Sequence, residues 1–288
     1  VESRESREES LLWTHDSLLA TPDSRLKLLM NFTSAEITAW IGAFLWPFFR
    51  IAALFTSAAV FGMRALPMRL RLMLALAVAL VLAPLAGPMP AVELMSADGF
   101  IITGQQIVIG IAMGFVLRMV FAALELAGEP IGSLMGLGFA SLIDPQNGVQ
   151  VPVVSQFYVL LATLMFLALN GHLLWIEAVA ESFRVIPVGL NGIAPEGAWA
   201  LAGFASQMFG WGVRMALPVA AALLVVNLAF GVLARTSPQL NVFSVGFPAA
   251  LLIGLALVLM TLPAVLLKVG PLTAEGLEQV GRVLAAGR

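Results

Sequence analysis

The chain has 288 residues, of which 60% are hydrophobic and only 11% are charged, and its mean hydropathy is +0.97. A soluble domain carries about 25% charged residues, so a soluble fold is disfavoured because too few charges are present to cover its surface. With no cysteine, two histidines and a net charge of −2, the sequence also disfavours disulfides, thiolate or multi-histidine metal sites and nucleic-acid binding. We therefore expect no cofactor, no metal and no nucleic-acid partner.

The first 29 residues differ from the rest because they are polar and hold ten of the 32 charged residues. They lack the basic start and the apolar core of a secretory signal. Two interpretations stay open: translation starts at Met30, or residues 1–29 form a real, poorly ordered tail. We prefer the first interpretation and leave this leader out of the fold prediction.

Six runs with few or no charges are long enough to cross a bilayer as helices, which takes about 20 apolar residues. They predict an all-α membrane protein, because backbone groups in lipid must be hydrogen-bonded within their own segment. Prolines inside four of the six segments predict kinked helices. The predicted helices cover residues 37–63, 70–87, 99–127, 155–180, 206–234 and 245–269.

Arg50 lies in the middle of the first predicted helix. A central arginine costs about 2.5–3.5 kcal/mol on insertion scales, so its charge must be paired or hydrated. Either Arg50 contacts another subunit or lines a pore, or it pairs inside the chain with an acid such as Glu125. The residues alone leave both alternatives open.

Three charged residues share one face of the third predicted helix if that helix continues: Arg118, Glu125 and Glu129. They can be interpreted as a proton relay or as a polar stripe near the membrane surface that pairs with a neighbour. We favour the stripe, because no other residue completes a relay chain.

Glycines recur every four residues after this helix, at Gly128, Gly132 and Gly136. Small residues at this spacing let two helices approach closely. The pattern is common in membrane helices, so it predicts helix packing without identifying the partner.

Residues 139–153 contain two turn signals, Asp144-Pro145 and Asn147-Gly148, and Asp144 is their only charged residue. An ordinary solvated loop would be more polar than this segment. The segment is either a re-entrant loop, buried in protein or lying in a water-filled cavity, or a tight turn at the bilayer surface. Composition favours neither.

No pattern in the sequence predicts an enzyme. His172 has no second candidate ligand or catalytic partner, and we expect it to be a hydrogen-bonded packing residue. The sequence has neither a nucleophile elbow nor a phosphate-binding loop.

The residues from Arg235 to Pro248 read RTSPQLNVFSVGFP. This string resembles the FliR family, the R subunit of the flagellar type III protein export gate. Upstream strings resemble the same family in order, so the resemblance runs from about Phe44 to about Pro263. These strings are Trp46-Pro47 with Arg50, Gln105-Gln106, Asp144-Pro145, Asn170-Gly171-His172 and Ala216-Leu-Pro-Val219.

The resemblance implies an all-helical protein of the bacterial inner membrane, in the flagellar basal body. It implies that one R subunit assembles with about five P and four Q subunits, beside other export membrane components, and that unfolded flagellar proteins pass through. It also implies a P-like part followed by a Q-like helical hairpin. We therefore divide the chain into a leader (1–29), a P-like part (30–200), a hairpin (201–270) and a C-terminal tail (271–288).

The resemblance also implies roles for individual residues. It matches residues 139–153 to a loop that plugs the closed pore, and we expect the gate at Ile143, Asp144, Pro145, Gln146, Asn147 and Gly148. It implies subunit contacts at an interhelical motif formed by Pro238, Gln239, Asn241, Gly246 and Pro248. Among the intramembrane charges, we expect subunit contacts at Arg50, Arg118, Glu125 and Glu129.

Three other functions stay open. A secondary transporter would have broken helices around a midplane substrate site. An injectisome export-gate subunit would share the architecture of the flagellar one. A non-conducting assembly scaffold would tolerate changes in the plug loop without any change in conductance.

Overall fold

The computed structural model describes five stretches of the chain, residues 34–61, 67–90, 92–138, 152–236 and 242–286. Within these stretches the regular secondary structure is helical and includes no strand. The prediction of an all-α protein is therefore confirmed. The leader (1–29) and the six gate residues (143–148) lie outside the described residues.

The described chain forms eight α-helices, with a short 3₁₀ turn at Ala83–Leu85 that extends the second. Five prolines lie inside four of these helices: Pro47, Pro130, Pro218, Pro248 and Pro263. The helices are α1 (Ser34–Ser57), α2 (Met68–Leu82), α3 (Ala97–Leu134), α4 (Val153–Ala168), α5 (Gly171–Val185), α6 (Pro195–Thr236), α7 (Val242–Leu266) and α8 (Val269–Ala285).

Among the described residues, five helices are long and apolar enough to cross a membrane, and a bent pair makes a sixth candidate span. The pair is α4 with α5, which meet at an angle of 69°. The predicted single helix 155–180 is therefore broken. The break falls at Asn170, whose backbone is left-handed with φ 56°, a conformation that asparagine tolerates better than most residues.

Helix α3 is the central element, and it packs against α1, α4, α6 and α8. The α1–α3 crossing depends on small residues, because a Cβ atom at Gly110 would overlap the backbone carbonyl of Arg50. On the opposite side, a Cβ atom at Gly212 of α6 would lie 2.7 Å from the Leu126 side chain. Glycine therefore lets two neighbours approach α3 closely.

Helix α8 occupies most of the segment that the sequence analysis left as a tail. Its buried side chains follow helical spacing, and Gln279 Nε2 donates a 2.7 Å hydrogen bond to the Ala200 carbonyl of α6. A search for uninterrupted apolar runs overlooks such a helix, because its outer face is polar and carries Glu275, Glu278 and Arg282.

Candidate functional site: a buried arginine and the end of the central helix

Arg50 is fully buried where α1, α3 and the end of α5 meet. Its Nε donates to Gln106 Oε1 at 2.8 Å, and its two terminal nitrogens donate to Ser182 Oγ at 3.0 Å and to the Ile186 carbonyl at 2.9 Å. The guanidinium carbon lies 4.2 Å from the centroid of the Phe183 ring. One side chain thus joins three helices that are far apart in sequence.

The predicted pairing of Arg50 with an acid such as Glu125 is not formed. Glu125 is exposed on α3, about 28 Å along the helix from Gln106 at 1.5 Å per residue. The C-terminal end of α5 substitutes for an acid, because the Ile186 carbonyl that accepts from Arg50 belongs to the C-cap residue of that helix and a helix C-terminus carries about half a negative charge. The Arg50 side chain is enclosed by its own chain, and its predicted role in a subunit contact stays a prediction.

Arg118, Glu125 and Glu129 lie on the exposed face of α3. The two ion pairs found among the described residues are Arg184–Glu181 and Arg282–Glu278, so neither pair includes the three stripe residues. The apolar part of the same face, Val108, Ile111 and Phe115, is also exposed. The stripe therefore has no partner within the described chain, and its role in subunit contacts stays a prediction.

The three spaced glycines of α3 do not share one role. A Cβ atom at Gly128 would lie 2.5 Å from the Ser155 backbone of α4, and Ser155 Oγ donates to the Glu125 carbonyl at 2.7 Å. Gly132 also faces α4, with 3.6 Å to the Val154 side chain. Gly136 differs in its backbone conformation, since its φ of 81° lies just beyond the end of α3, and its role in helix packing stays a prediction.

Each of the last four backbone carbonyl groups of α3 accepts a hydrogen bond. Gly136 N–H and Leu137 N–H turn back onto the Ser133 and Gly132 carbonyls at 3.0 and 3.1 Å, as in a Schellman cap. The carbonyls of Ile131 and Leu134 accept from Met135 N–H at 2.9 Å and from the Asn227 side chain at 3.0 Å. Asn227 belongs to α6, so the fourth carbonyl is capped by the α6–α7 hairpin.

Helix α7 also contacts this end of α3. The Met135 side chain lies directly over Gly254, where a Cβ atom would approach its sulfur to 2.9 Å. Beside this contact, a cavity of about 390 Å³ separates α3 from the hairpin. Its lining includes Ser133, Gly136, Asn227, Phe230, Gly246 and Phe247.

Of the predicted interhelical motif, Gly246 lines this cavity and Pro248 lies inside α7. Pro238, Gln239 and Asn241 lie outside the described residues. The predicted plug loop follows α3 in sequence and reaches the described residues again only at its last two positions, Pro152 and Val153.

His172 lies in the first turn of α5, just after the bend. Its Nδ1 atom is buried without a hydrogen-bond partner in the described part of the chain, so the expected hydrogen bond is not seen there. The described residues also hold no group of three or more histidine, cysteine or acidic side chains placed to bind a metal.

Sequence reasoning missed Asn227, Gln106 and Ser182 as site residues. Asn227 gave a usable signal, because it stands alone in an uncharged run of 20 residues between Arg214 and Arg235. A polar side chain at membrane depth commonly bonds across to a neighbouring helix. Ser182 gave none, since a helical serine usually bonds its own backbone.

Comparisons with known proteins cover most of this chain. Residues 41–275 match the sequence model of the family described as bacterial export proteins, family 1. The chain is 39% identical over 237 residues to the flagellar biosynthetic protein FliR of Pectobacterium carotovorum subsp. carotovorum, which covers 82% of this chain and 90% of that protein.

Two further relatives are also flagellar biosynthetic proteins FliR. The protein of Escherichia coli K12 is 36% identical over 237 residues, 82% of this chain and 90% of its own length. That of Bacillus subtilis 168 is 31% identical over 246 residues, 84% of this chain and 95% of its own length. The chain therefore belongs to the FliR family, membrane-embedded helical proteins of flagellar biosynthesis and protein export.

Proposed function

We propose that this chain is the pore-forming R subunit of the flagellar type III export gate in the bacterial inner membrane. It assembles there with P and Q subunits and passes unfolded flagellar proteins across the membrane. The observation that carries this proposal is the set of exposed apolar residues along α6, which lie on both sides of Arg214 and extend over a length too great to be covered by lipid alone. We assign the chain no catalytic role.

Exposed apolar side chains occur along nearly the whole length of α6. Trp199 is 78% exposed near one end of α6 and Leu233 is 43% exposed near the other. They are 34 residues apart, which corresponds to about 51 Å along the helix axis. The hydrocarbon core of a bilayer is only about 30 Å thick. A straight helix would need a tilt of about 54° to fit, beyond the usual range of about 0–40°.

Part of this apolar face therefore needs protein neighbours. Candidate spans in α2 and α6 are each only 17% buried inside the chain, and that in α7 is 22% buried. Helical partner subunits provide such cover. Flagellar relatives and the export family support P and Q subunits as those partners and favour the flagellar gate over an injectisome gate.

We further propose that residues 139–153 plug the closed pore. Support comes from their position directly after the capped end of α3, which Asn227 and Gly254 attach to the α6–α7 hairpin. A loop that starts from such a fixed point can be held across a channel. The gate residues would be Ile143 to Gly148, and the hairpin would set where the loop begins.

The composition of the complex tests this function. The chain, carrying an affinity tag and coexpressed with its P and Q partners, is purified in mild detergent and weighed by native mass spectrometry. We expect one copy of this chain with several copies of P and Q. A monomer or homodimer, under conditions that keep other membrane assemblies intact, would contradict the proposal and favour a secondary transporter.

A further inference from the structure

A basic pocket lies at one end of the α6–α7 hairpin, far from the buried Arg50. It has a volume of about 190 Å³, and its lining combines two cations, one indole ring and an apolar floor. Arg214 and Trp211 come from α6 and Lys268 comes from the junction between α7 and α8. The remaining lining residues are Met215, Pro271 and Leu272.

The sequence places this pocket at a membrane boundary. Arg214 directly precedes the 20 uncharged residues 215–234, and Lys268 directly follows the uncharged residues 236–267. Twenty helical residues span about 30 Å, the thickness of the hydrocarbon core. Because both basic residues line one pocket, the two runs end on the same side of the bilayer.

Neither cation is neutralised by the described chain. Arg214 and Lys268 are exposed, neither belongs to the ion pairs found among the described residues, and no acidic residue lines the pocket. No side chain caps the first turn of α8, which begins beside the pocket, and a helix N-terminus adds positive potential. The pocket therefore presents two positive charges with no acidic residue in its lining.

We propose that this pocket binds the head group of an anionic phospholipid. Basic pockets between membrane helices suit anionic head groups, and an indole ring is typical of the membrane interface. The phosphate would lie between the Arg214 and Lys268 side chains, while the acyl chains would follow the part of the apolar faces of α6 and α7 that partner subunits leave uncovered. The long stems of both cations would line the apolar floor and keep their charges at the interface.

The test measures lipid bound to the purified full-length chain by native mass spectrometry. Phosphatidylglycerol and phosphatidylcholine with the same acyl chains are added in separate titrations. We expect phosphatidylglycerol to bind more tightly than phosphatidylcholine. The double variant R214Q/K268Q should weaken phosphatidylglycerol binding by about fivefold for each charge removed and leave phosphatidylcholine unchanged.

The control variant R235Q/R282Q removes the same net charge from two exposed sites that do not line the pocket. It should bind phosphatidylglycerol like the unchanged chain. If both double variants bound phosphatidylglycerol equally weakly, the effect would come from overall charge and the proposal of a specific lipid site would be overturned. Displacement of the lipid by an equal concentration of inorganic phosphate would show a simple phosphate site instead.

A protein partner is the competing occupant, and the same variants separate it. If R214Q/K268Q lost P or Q subunits from the complex while keeping its preference for phosphatidylglycerol, the pocket would be a subunit contact and the lipid proposal would fail. If the lipid preference fell while the subunit composition held, the lipid proposal would stand whether or not the complex conducts.

Discussion

At the scale of single residues, the chain neutralises a buried charge without using an acid. Arg50 donates to a glutamine, a serine and a backbone carbonyl, and it stacks near Phe183. A buried cation is tolerated only where its hydrogen bonds are satisfied. We infer that Arg50 is a positioning residue, which fixes α1 and α3 against the end of α5.

Arg50→Ala should destabilise the isolated chain by about 3 kcal/mol or more, because it leaves Gln106, Ser182 and the Ile186 carbonyl without their donor. Expression and complex recovery should then fall together, as measured by detergent melting temperature and by yield. Arg50→Lys should recover only part of the loss, since an ammonium group lacks the planar fork.

Arg184→Ala is the matched control, because Arg184 is exposed and its ion pair with Glu181 lies on the surface. Such pairs contribute about 0–1 kcal/mol. Normal stability of Arg50→Ala, combined with loss of P and Q subunits, would contradict the interior role and return Arg50 to a subunit contact.

Gly136 and Gly104 should respond to alanine in opposite directions. Gly136→Ala forces a side chain into a left-handed backbone and should cost about 1–2 kcal/mol. Gly104 lies inside α3 with open space around it, so Gly104→Ala should stabilise by about 0.5–1 kcal/mol. Melting temperatures in one detergent compare the two variants, and equal loss at both positions would refute the cap.

At the scale of elements, the important junction is between α3 and the α6–α7 hairpin. In addition to the packing of α3 on α6 near Gly212, the C-terminal end of α3 reaches the hairpin through a hydrogen bond from Asn227 and a close contact between Met135 and Gly254. The adjoining cavity of about 390 Å³ leaves the junction only partly filled. The Asn227 side chain therefore supplies a directional contact at a place where packing is incomplete.

Asn227→Leu keeps the size of the side chain but removes the donor to the Leu134 carbonyl. We expect the junction to loosen, because a partly buried carbonyl left without its donor costs up to about 1–3 kcal/mol. The chain has no cysteine, so a pair introduced as Met135→Cys and Gly254→Cys can be crosslinked without background. Its crosslinking rate should fall in Asn227→Leu.

Leu228→Ala is the control for this experiment, because the neighbouring Leu228 is 69% exposed and points away from the junction. It should leave the crosslinking rate unchanged. If Asn227→Leu crosslinked as fast as the unchanged chain, the hydrogen bond would not hold the hairpin to α3.

The sequence predicted elements better than junctions. Long apolar runs located the spans, because backbone in a dry environment must be helical. The bend at Asn170 and the helix α8 were missed, since a one-residue left-handed turn and an amphipathic tail leave little trace in hydropathy. The partners of Arg50 were also missed, because they are uncharged and lie 56 to 136 residues away in the sequence.

At the scale of the whole molecule, the described chain is a core of α3 with its neighbours, surrounded by helices that expose apolar faces. Helices α2, α6 and α7 bury only a small part of their spans within the chain. The exposed apolar residues of α6 extend over about 51 Å, whereas the hydrocarbon core of a bilayer is about 30 Å thick. Such a molecule is completed by partner subunits.

The central claim, a plugged pore in an assembled export gate, is tested most directly by conductance. The complex of this chain with its P and Q partners is reconstituted in planar bilayers, with Ile143–Gly148 either intact or replaced by six glycine and serine residues. Native mass spectrometry first confirms that both complexes have the same composition. We predict a closed complex with the native segment and a steady ion leak with the replacement, whereas equal, low conductance in both would contradict the account.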